Sequence, residues 1–201
     1  MGKTIAIAAL VDYPMFDVAI KNIIVPSLRE CGFTSRTTVI ANPQMLANET
    51  LRTRVLAEYD VYLIHKDYGA RVNGANNAFL EGVHRTGLNC LGLIRRLHEE
   101  NPYARTIVTS GEYPDGIKSC LNMEADVYIN IAFINPNPPY SEEYEYVIDS
   151  ICKGKLTKQE MENRGRDLQM FQEDRERFNF RFEEFNNAHS ENMDIPNTPV
   201  S

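Results

Sequence analysis

The 201-residue chain lacks two features that would place it on a membrane or on nucleic acid. No apolar run approaches the roughly 18–20 residues that a bilayer-spanning helix needs. Basic residues are also in deficit, since 21 Lys and Arg stand against 28 Asp and Glu and give a net charge of −7. Non-specific nucleic-acid binding and docking on anionic lipid both require a basic surface. The composition therefore argues against nucleic-acid and membrane partners.

The four cysteines, Cys31, Cys90, Cys120 and Cys152, lack the close spacing of metal or redox motifs. They lie about 30 or more residues apart, and no pair has CxxC or metal-ligand spacing. The N-terminal apolar run has no small-residue cleavage site, so it predicts a strand and not a signal peptide. We therefore expect reduced thiols in a cytoplasmic protein, with no metal and no cofactor.

Strand-like and helix-like segments alternate over the first three quarters of the chain. The predicted strands are residues 4–11, 34–40, 60–65, 105–110 and 126–133. The predicted helices are residues 15–31, 43–58, 88–98, 114–123 and 142–152, the last with Ser141 as its N-cap. Pro26 interrupts the first helix and Gly32 stops it. This alternation predicts a doubly wound α/β domain over residues 1–152, with a five-stranded parallel sheet.

Residues 66–87 form an insertion that is rich in Gly and Asn and has weak helical periodicity. A loop of this length in a compact domain is usually functional or disordered. It would emerge at the edge of the sheet where ligands bind. There it could cap the pocket or present Tyr68, Arg71 and Phe79 to a partner. The alternative is a tolerated, mobile insertion without a role.

Residues 153–188 are predicted to form an amphipathic C-terminal helix. Its apolar residues fall on a heptad seam, where Arg164 and Arg175 take the two remaining positions. The apolar seam residues are Met161, Leu168, Phe171, Phe178, Phe182 and Phe185. This pattern is typical of a coiled coil and predicts a homodimer, although the helix could instead fold back on its own domain. Residues 189–201 are polar, contain two prolines and are predicted to be a disordered tail.

Three segments of the chain resemble receiver domains of response regulators. Residues 124–133, EADVYINIAF, are similar to the receiver segment GADDYLxKPF, in register and without gaps. Residues 88–110 are similar to the receiver stretch that runs through the third helix to the Thr or Ser ending the fourth strand. Residues 7–13, IAALVDY, are similar to the first strand and its paired acids. The resemblance implies a receiver-like, flavodoxin-like fold with an insertion and a C-terminal helical extension.

The residues that carry receiver chemistry are largely replaced. Where the resemblance implies two metal-binding acids, the chain has Asp12 and Tyr13, and where it implies the phospho-acceptor aspartate it has His65. The expected lysine is replaced by Ile131, whereas Thr109 or Ser110 can supply the hydroxyl. Phosphoryl transfer needs a metal and a cation to spread the developing negative charge. The sequence therefore predicts a pseudo-receiver that has lost the aspartyl-phosphate switch.

The degenerate pocket leaves minor alternatives. His65, Asp67 and Asp12 could form a small metal site, and Asp67 could be a displaced acceptor. The favoured interpretation is that His65 is a hydrogen-bonded residue in a pocket without catalytic function. Tyr144 and Tyr146 lie on the last helix of the domain, which many receivers use for dimer contacts.

We expect a non-catalytic signalling or assembly protein, not an enzyme, which acts by protein–protein contact independently of phosphorylation. The alternative is a small-molecule or nucleotide sensor that uses the degenerate pocket. A flavodoxin-like enzyme is disfavoured because the loop after the first strand, VDYPMFD, is acidic and unsuited to a phosphate.

Overall fold

The computed structural model describes residues 3–11, 14–66, 68, 90–110, 125–130 and 141–170. The strands are β1 (Thr4–Leu10), β2 (Thr34–Ile40), β3 (Val61–His65), β4 (Arg105–Ser110) and β5 (Val127–Asn130). The helices are α1 (Pro14–Ala19), α2 (Val25–Glu30), α3 (Glu49–Ala57), α4 (Cys90–Glu100), α5 (Ser141–Cys152) and α6, which begins at residue 158 and is described to residue 170. A π-helical turn (Ile20–Ile24) joins α1 to α2, and a 3₁₀ turn (Pro43–Ala47) precedes α3. The helix predicted over residues 114–123 lies outside the described residues, as does nearly all of the insertion.

The strands form one parallel sheet in the order β2-β1-β3-β4-β5. Ile7 of β1 lies between Thr37 of β2 and Val61 of β3, and Val61 is followed across the sheet by Arg105 of β4. Parallel neighbours need long crossover connections, and helices lie in the connections from β1 to β2, from β2 to β3 and from β3 to β4. The predicted parallel α/β class is therefore confirmed. The order 2-1-3-4-5 is the flavodoxin-like form of the doubly wound fold, the form that receiver domains also have.

The sheet is covered on both faces, because side chains along each strand alternate between two cores. One core contains Ala8 of β1 and Tyr62 of β3 and is completed by α3 and α4. The other contains Ile7 of β1 and Leu63 of β3 and is completed by the helices from α1 to α2 and by α5. The near-continuous apolar runs in the central strands follow from this burial on both faces.

The first helical segment contains a widened turn just before Pro26. The Val25 N–H bonds to the carbonyl of Ile20, five residues earlier, as in a π-helix. In a regular helix Pro26 would have to bond the carbonyl of Asn22, but proline has no N–H and its ring clashes with that carbonyl. The wider turn relieves this conflict, and Pro26 stands in the first turn of α2. The predicted interruption at Pro26 is thus accommodated by a π-turn.

Two aspartates tie the amino edge of the sheet together. Asp60, just before β3, accepts a hydrogen bond from the Ala6 N–H at 2.9 Å. Asp126, just before β5, accepts one from the Thr106 N–H at 2.7 Å and a second from the Thr106 hydroxyl at 2.9 Å. In each case the carboxylate binds the neighbouring strand, so it fixes the alignment of two parallel strands where they begin.

Asp126→Ala should lower the free energy of unfolding by about 1–3 kcal/mol, because the Thr106 N–H would be left without its acceptor in a buried strand. Asp126→Asn should lose less, since the amide oxygen can still accept that bond. Asp149→Ala is the matched control. Its exposed carboxylate pairs with Lys153 on the helix surface, so the variant should change stability by less than about 0.5 kcal/mol. Urea denaturation measures all three, and equal losses for Asp126→Ala and Asp149→Ala would contradict the proposed strand alignment.

The chain divides into two compact units, Met1–Met161 and Glu162–Ser201. The domain boundary placed at Cys152 by the sequence stays a prediction, but the segment after Cys152 packs with the first unit. Leu156 is buried, and its N–H bonds to the Tyr103 carbonyl at 2.8 Å. In the second unit the described residues, 162–170, are helical. No helix in the described ranges is long and apolar enough to cross a membrane.

The start of α6 is held by a capping box and by a buried arginine. The Glu160 carboxylate accepts from the Thr157 N–H at 2.8 Å, while the Thr157 hydroxyl accepts from the Glu160 N–H at 3.2 Å. The other Glu160 oxygen pairs with Arg105 at 2.9 Å, and Arg105 also donates to the Gly154 carbonyl at 3.1 Å. The Thr157 N–H, and next the Arg105 guanidinium, lower the pKa of Glu160 to about 2. Arg105 thereby joins β4 to the beginning of α6.

Candidate functional site

The parallel sheet brings the carboxyl ends of its strands to one edge. Leu10 of β1, His65 of β3, Ser110 of β4 and Asn130 of β5 end their strands there. Ligands of doubly wound sheets bind outside this edge. Because β3 is the central strand, His65 stands at the middle of the edge.

His65 is held firmly and is only 9% exposed. It lies beside Thr109 in the register of β3 and β4. The backbone that follows His65 is hydrogen-bonded, because the Lys66 N–H donates to the Thr109 carbonyl at 2.8 Å and the His65 carbonyl accepts from the Tyr68 N–H at 2.9 Å. The structure thus places the predicted His65 at the predicted edge, buried at the end of the central strand.

Thr109 is the second predicted pocket residue whose side chain the structure describes. It is fully buried, and its hydroxyl donates to the Ile64 carbonyl at 3.5 Å, a long and weak hydrogen bond. Ser110 follows as the last residue of β4. The other predicted pocket residues, Asp12, Tyr13, Asp67 and Ile131, lie outside the described residues.

The chemistry available at the described part of this edge is limited. It offers one buried imidazole, one buried hydroxyl and the half-buried Lys66. Across the described ranges, no group of three or more His, Cys, Asp or Glu residues is arranged to hold a metal ion. A buried imidazole beside a hydroxyl does not by itself stabilise the charge that phosphoryl transfer develops.

Tyr68 is not where the sequence analysis expected it. It was expected to be presented to a partner, but its side chain is fully buried in the core that α3 and α4 complete. The physical reason is the tight turn after β3, in which the Tyr68 N–H bonds back to the His65 carbonyl. Tyr68 is therefore a core residue, and Arg71 and Phe79 lie outside the described residues.

The two tyrosines of α5 have different environments. Tyr144 is half-buried, packs against the core and shares a short hydrogen bond with the Ser27 hydroxyl of α2. Tyr146 is 54% exposed and is available for a contact. In α6, Leu168 is half-buried. The remaining predicted partner residues, Phe171, Phe178, Phe182 and Phe185, lie outside the described part of the chain.

Two features were not found by sequence reasoning. The first is the link between Arg105 and Glu160, although the Thr157-x-x-Glu160 spacing is a recognisable capping-box signal. The second is a groove between α2 and α5 that contains both Cys31 and Cys152. These cysteines are about 120 residues apart in the sequence, so no local pattern could have paired them.

Comparisons with known proteins return only distant structural similarity. No family model matches the chain, and a search of curated proteins gives no match. Among solved structures, the response regulator TrrA of Thermotoga maritima in complex with Mg²⁺ and BeF is similar at 17% identity and a TM-score of 0.40, over 74% of this chain and 98% of that one. A CheY-like receiver domain protein of Methanospirillum hungatei is similar at 18% identity and a TM-score of 0.39, over 76% and 98%. The fold class of the present chain rests on its own strand order.

Proposed function

We propose that this protein is a non-catalytic signalling or assembly protein built on a receiver-like domain that works without aspartyl phosphorylation. The proposal rests mainly on the position of His65 at the end of β3. This residue ends the central strand at the ligand-binding edge, is buried and is followed by a backbone that is hydrogen-bonded to β4 and within the turn. An imidazole at this point replaces the acceptor carboxylate that the receiver resemblance implies.

The remaining sequence changes support the same function. Tyr13 replaces one metal-binding acid and Ile131 replaces the lysine that would neutralise phosphoryl oxygens. A site without the acceptor, without the lysine expected at residue 131 and without half of its metal ligands has lost the groups that spread the charge of a transferred phosphoryl group. Output would then depend on protein contacts, for which α5 offers the exposed Tyr146 and the seam of the C-terminal helix offers apolar residues.

Acetyl phosphate with Mg²⁺ should leave the intact mass of the full-length protein unchanged. Beryllofluoride with Mg²⁺ should likewise leave its melting temperature unchanged, because no acceptor carboxylate is present at residue 65. A phosphorylatable receiver domain handled in parallel is the positive control. One phosphoryl group mapping to Asp12, Asp67 or His65 would refute the proposed phosphorylation independence.

A further inference from the structure

A cavity of about 550 Å³ lies between α2 and α5, at the end of the sheet opposite His65. Its walls include the apolar side chains of Phe33 and Ile148 and the hydroxyls of Ser27 and Tyr144. Both Cys31 and Cys152 also line it. Two thiols that are about 120 residues apart in the sequence therefore share one groove.

Helix caps fix the positions of both thiols. Cys31 is the C-cap residue of α2 and precedes Gly32. Gly32 has a φ of 82° and so adopts the left-handed conformation that favours glycine. The Phe33 N–H bonds to the Leu28 carbonyl at 2.8 Å and the Gly32 N–H to the Arg29 carbonyl at 2.9 Å, which together form a Schellman motif. This motif ends α2 and holds the backbone that carries the Cys31 thiol.

A glycine in the left-handed conformation also follows the end of α5. Gly154 has a φ of 64°, and its N–H bonds to the Ile151 carbonyl at 2.9 Å. Cys152 is the last residue of this helix. The short hydrogen bond between the Ser27 and Tyr144 hydroxyls links α2 to α5 along the same groove. The two thiol-bearing helix ends are thus held side by side.

The two thiols line the same groove and differ in exposure. Cys31 is exposed and Cys152 is half-buried. Burial, and next the neighbouring Cys31 side chain, raise the pKa of Cys152 to about 11. Cys152 therefore stays protonated at neutral pH, whereas Cys31 is the thiol that a reagent in solution reaches first.

We propose that Cys31 and Cys152 form a reversible intramolecular disulfide when the protein meets a hydroperoxide. The Cys31 thiolate attacks one oxygen of the peroxide, the O–O bond breaks and hydroxide or alkoxide leaves, which gives a sulfenic acid on Cys31. The Cys152 sulfur then attacks the Cys31 sulfur. The S–S bond forms as the S–O bond breaks, and the departing hydroxide takes the Cys152 proton and leaves as water. Two thiols are oxidised, the peroxide is reduced, and a dithiol reductant reverses the reaction.

The disulfide would close a loop of about 120 residues and join the ends of α2 and α5. Cross-links that close long loops restrict the unfolded chain most strongly, so oxidation should raise the melting temperature by on the order of 10 °C. The bond would also reshape the groove by drawing its two thiol-bearing walls together. The proposal is independent of the function proposed for the His65 edge.

The test uses the full-length protein, reduced and then treated with hydrogen peroxide at a few equivalents. After alkylation of the remaining thiols in denaturant, peptide mapping should show Cys31 linked to Cys152, and the melting temperature should rise and return on reduction. Cys31→Ser and Cys152→Ser should each abolish the link. Cys90→Ser is the matched control and should retain it, because Cys90 is buried in the other core. A link to Cys90 or Cys120, links only between chains, or a sulfinic acid on Cys31 without a link would each overturn the proposal.

A second measurement covers the case in which a serine variant fails to fold. Phenylarsine oxide condenses with two adjacent thiols, forming two As–S bonds and releasing one water, and it needs no oxidant. The native reduced protein should bind one equivalent of phenylarsine oxide and lose two titratable thiols, those of Cys31 and Cys152. Failure to bind, or binding that maps to any other cysteine, would show that the two thiols do not meet.

Discussion

A chain that ends after Cys152 should be less stable by about 3–5 kcal/mol than a chain that ends after Met161. The shorter chain retains Arg105, whose side chain is only 7% exposed, but loses both of its partners, the Gly154 carbonyl and Glu160. Leaving a buried charge without partners has an effect of this size. The shorter chain also loses the buried Leu156. Urea denaturation of the two truncated proteins measures the difference.

Glu160→Gln in the full-length chain tests the same contact without truncation. The glutamine oxygen can still accept from Thr157, so this variant should lose only about 1 kcal/mol at neutral pH. The pKa of Glu160 is lowered from 4.5 to about 2 in the folded protein. Its carboxylate therefore stabilises the fold fully above about pH 4.5, and this contribution is lost as the pH falls towards 2. The difference between wild type and variant should shrink over the same range. A difference that stays constant down to pH 2 would show that the charge of Glu160 has no role.

The full-length protein should be a dimer, whereas a chain ended after Met161 should be a monomer. The expectation rests on the apolar seam of the C-terminal helix. Leu168 is the first apolar residue of this seam that lies in the second unit. Burying each large apolar side chain contributes roughly 1.5–3 kcal/mol, so a seam of this length can hold two chains together. Ending the chain at Met161 and not at Cys152 keeps the contacts of Arg105 intact. Light scattering would therefore report association without a change in domain stability.

Leu168→Glu is the sharper test, because it places a charge on the seam. It should weaken dimerisation by at least about 10-fold, since one buried leucine contributes 1.5 kcal/mol or more. Met170→Glu is the matched control, because Met170 is two residues away, off the seam and 64% exposed. It should dimerise like the wild type. Equal weakening by both variants, or a monomeric full-length protein, would show that the seam does not pair two chains.

The strands were predictable because their signal is local. The predicted bounds of β2 and β4, residues 34–40 and 105–110, agree with the structure, since β-branched residues flanked by turns mark both. Gly32 ends the first helical segment as expected. Residues 43–58 proved to be two elements, a 3₁₀ turn and α3, because the Asn48 side chain caps α3 by accepting from the Leu51 N–H.

The candidate site was predictable only as far as strand order determines it. His65 and Thr109 come together because β3 and β4 are neighbours in the sheet. The predicted exposure of Tyr68 was wrong, because the hydrogen bond from its N–H to the His65 carbonyl forms a turn that places its ring in the core. The composition of a loop does not encode the direction of its side chains. The contact of Arg105 with Glu160 and the shared groove of Cys31 and Cys152 depend on tertiary packing, which the spacing of residues in the sequence does not reveal.

The π-turn before Pro26 governs how the first helical segment can be aligned with related helices. Phe16, Ile20, Ile24 and Leu28 recur at every fourth residue and are all buried. In a regular α-helix each such step advances by about 40° beyond a full turn, so the last of four would lie about 120° away from the first. The wider turn removes part of that rotation. An alignment to a helix without this turn therefore needs a one-residue gap within Ile20–Ile24. Without that gap, residues 25–31 would be aligned with residues on a different face of the other helix.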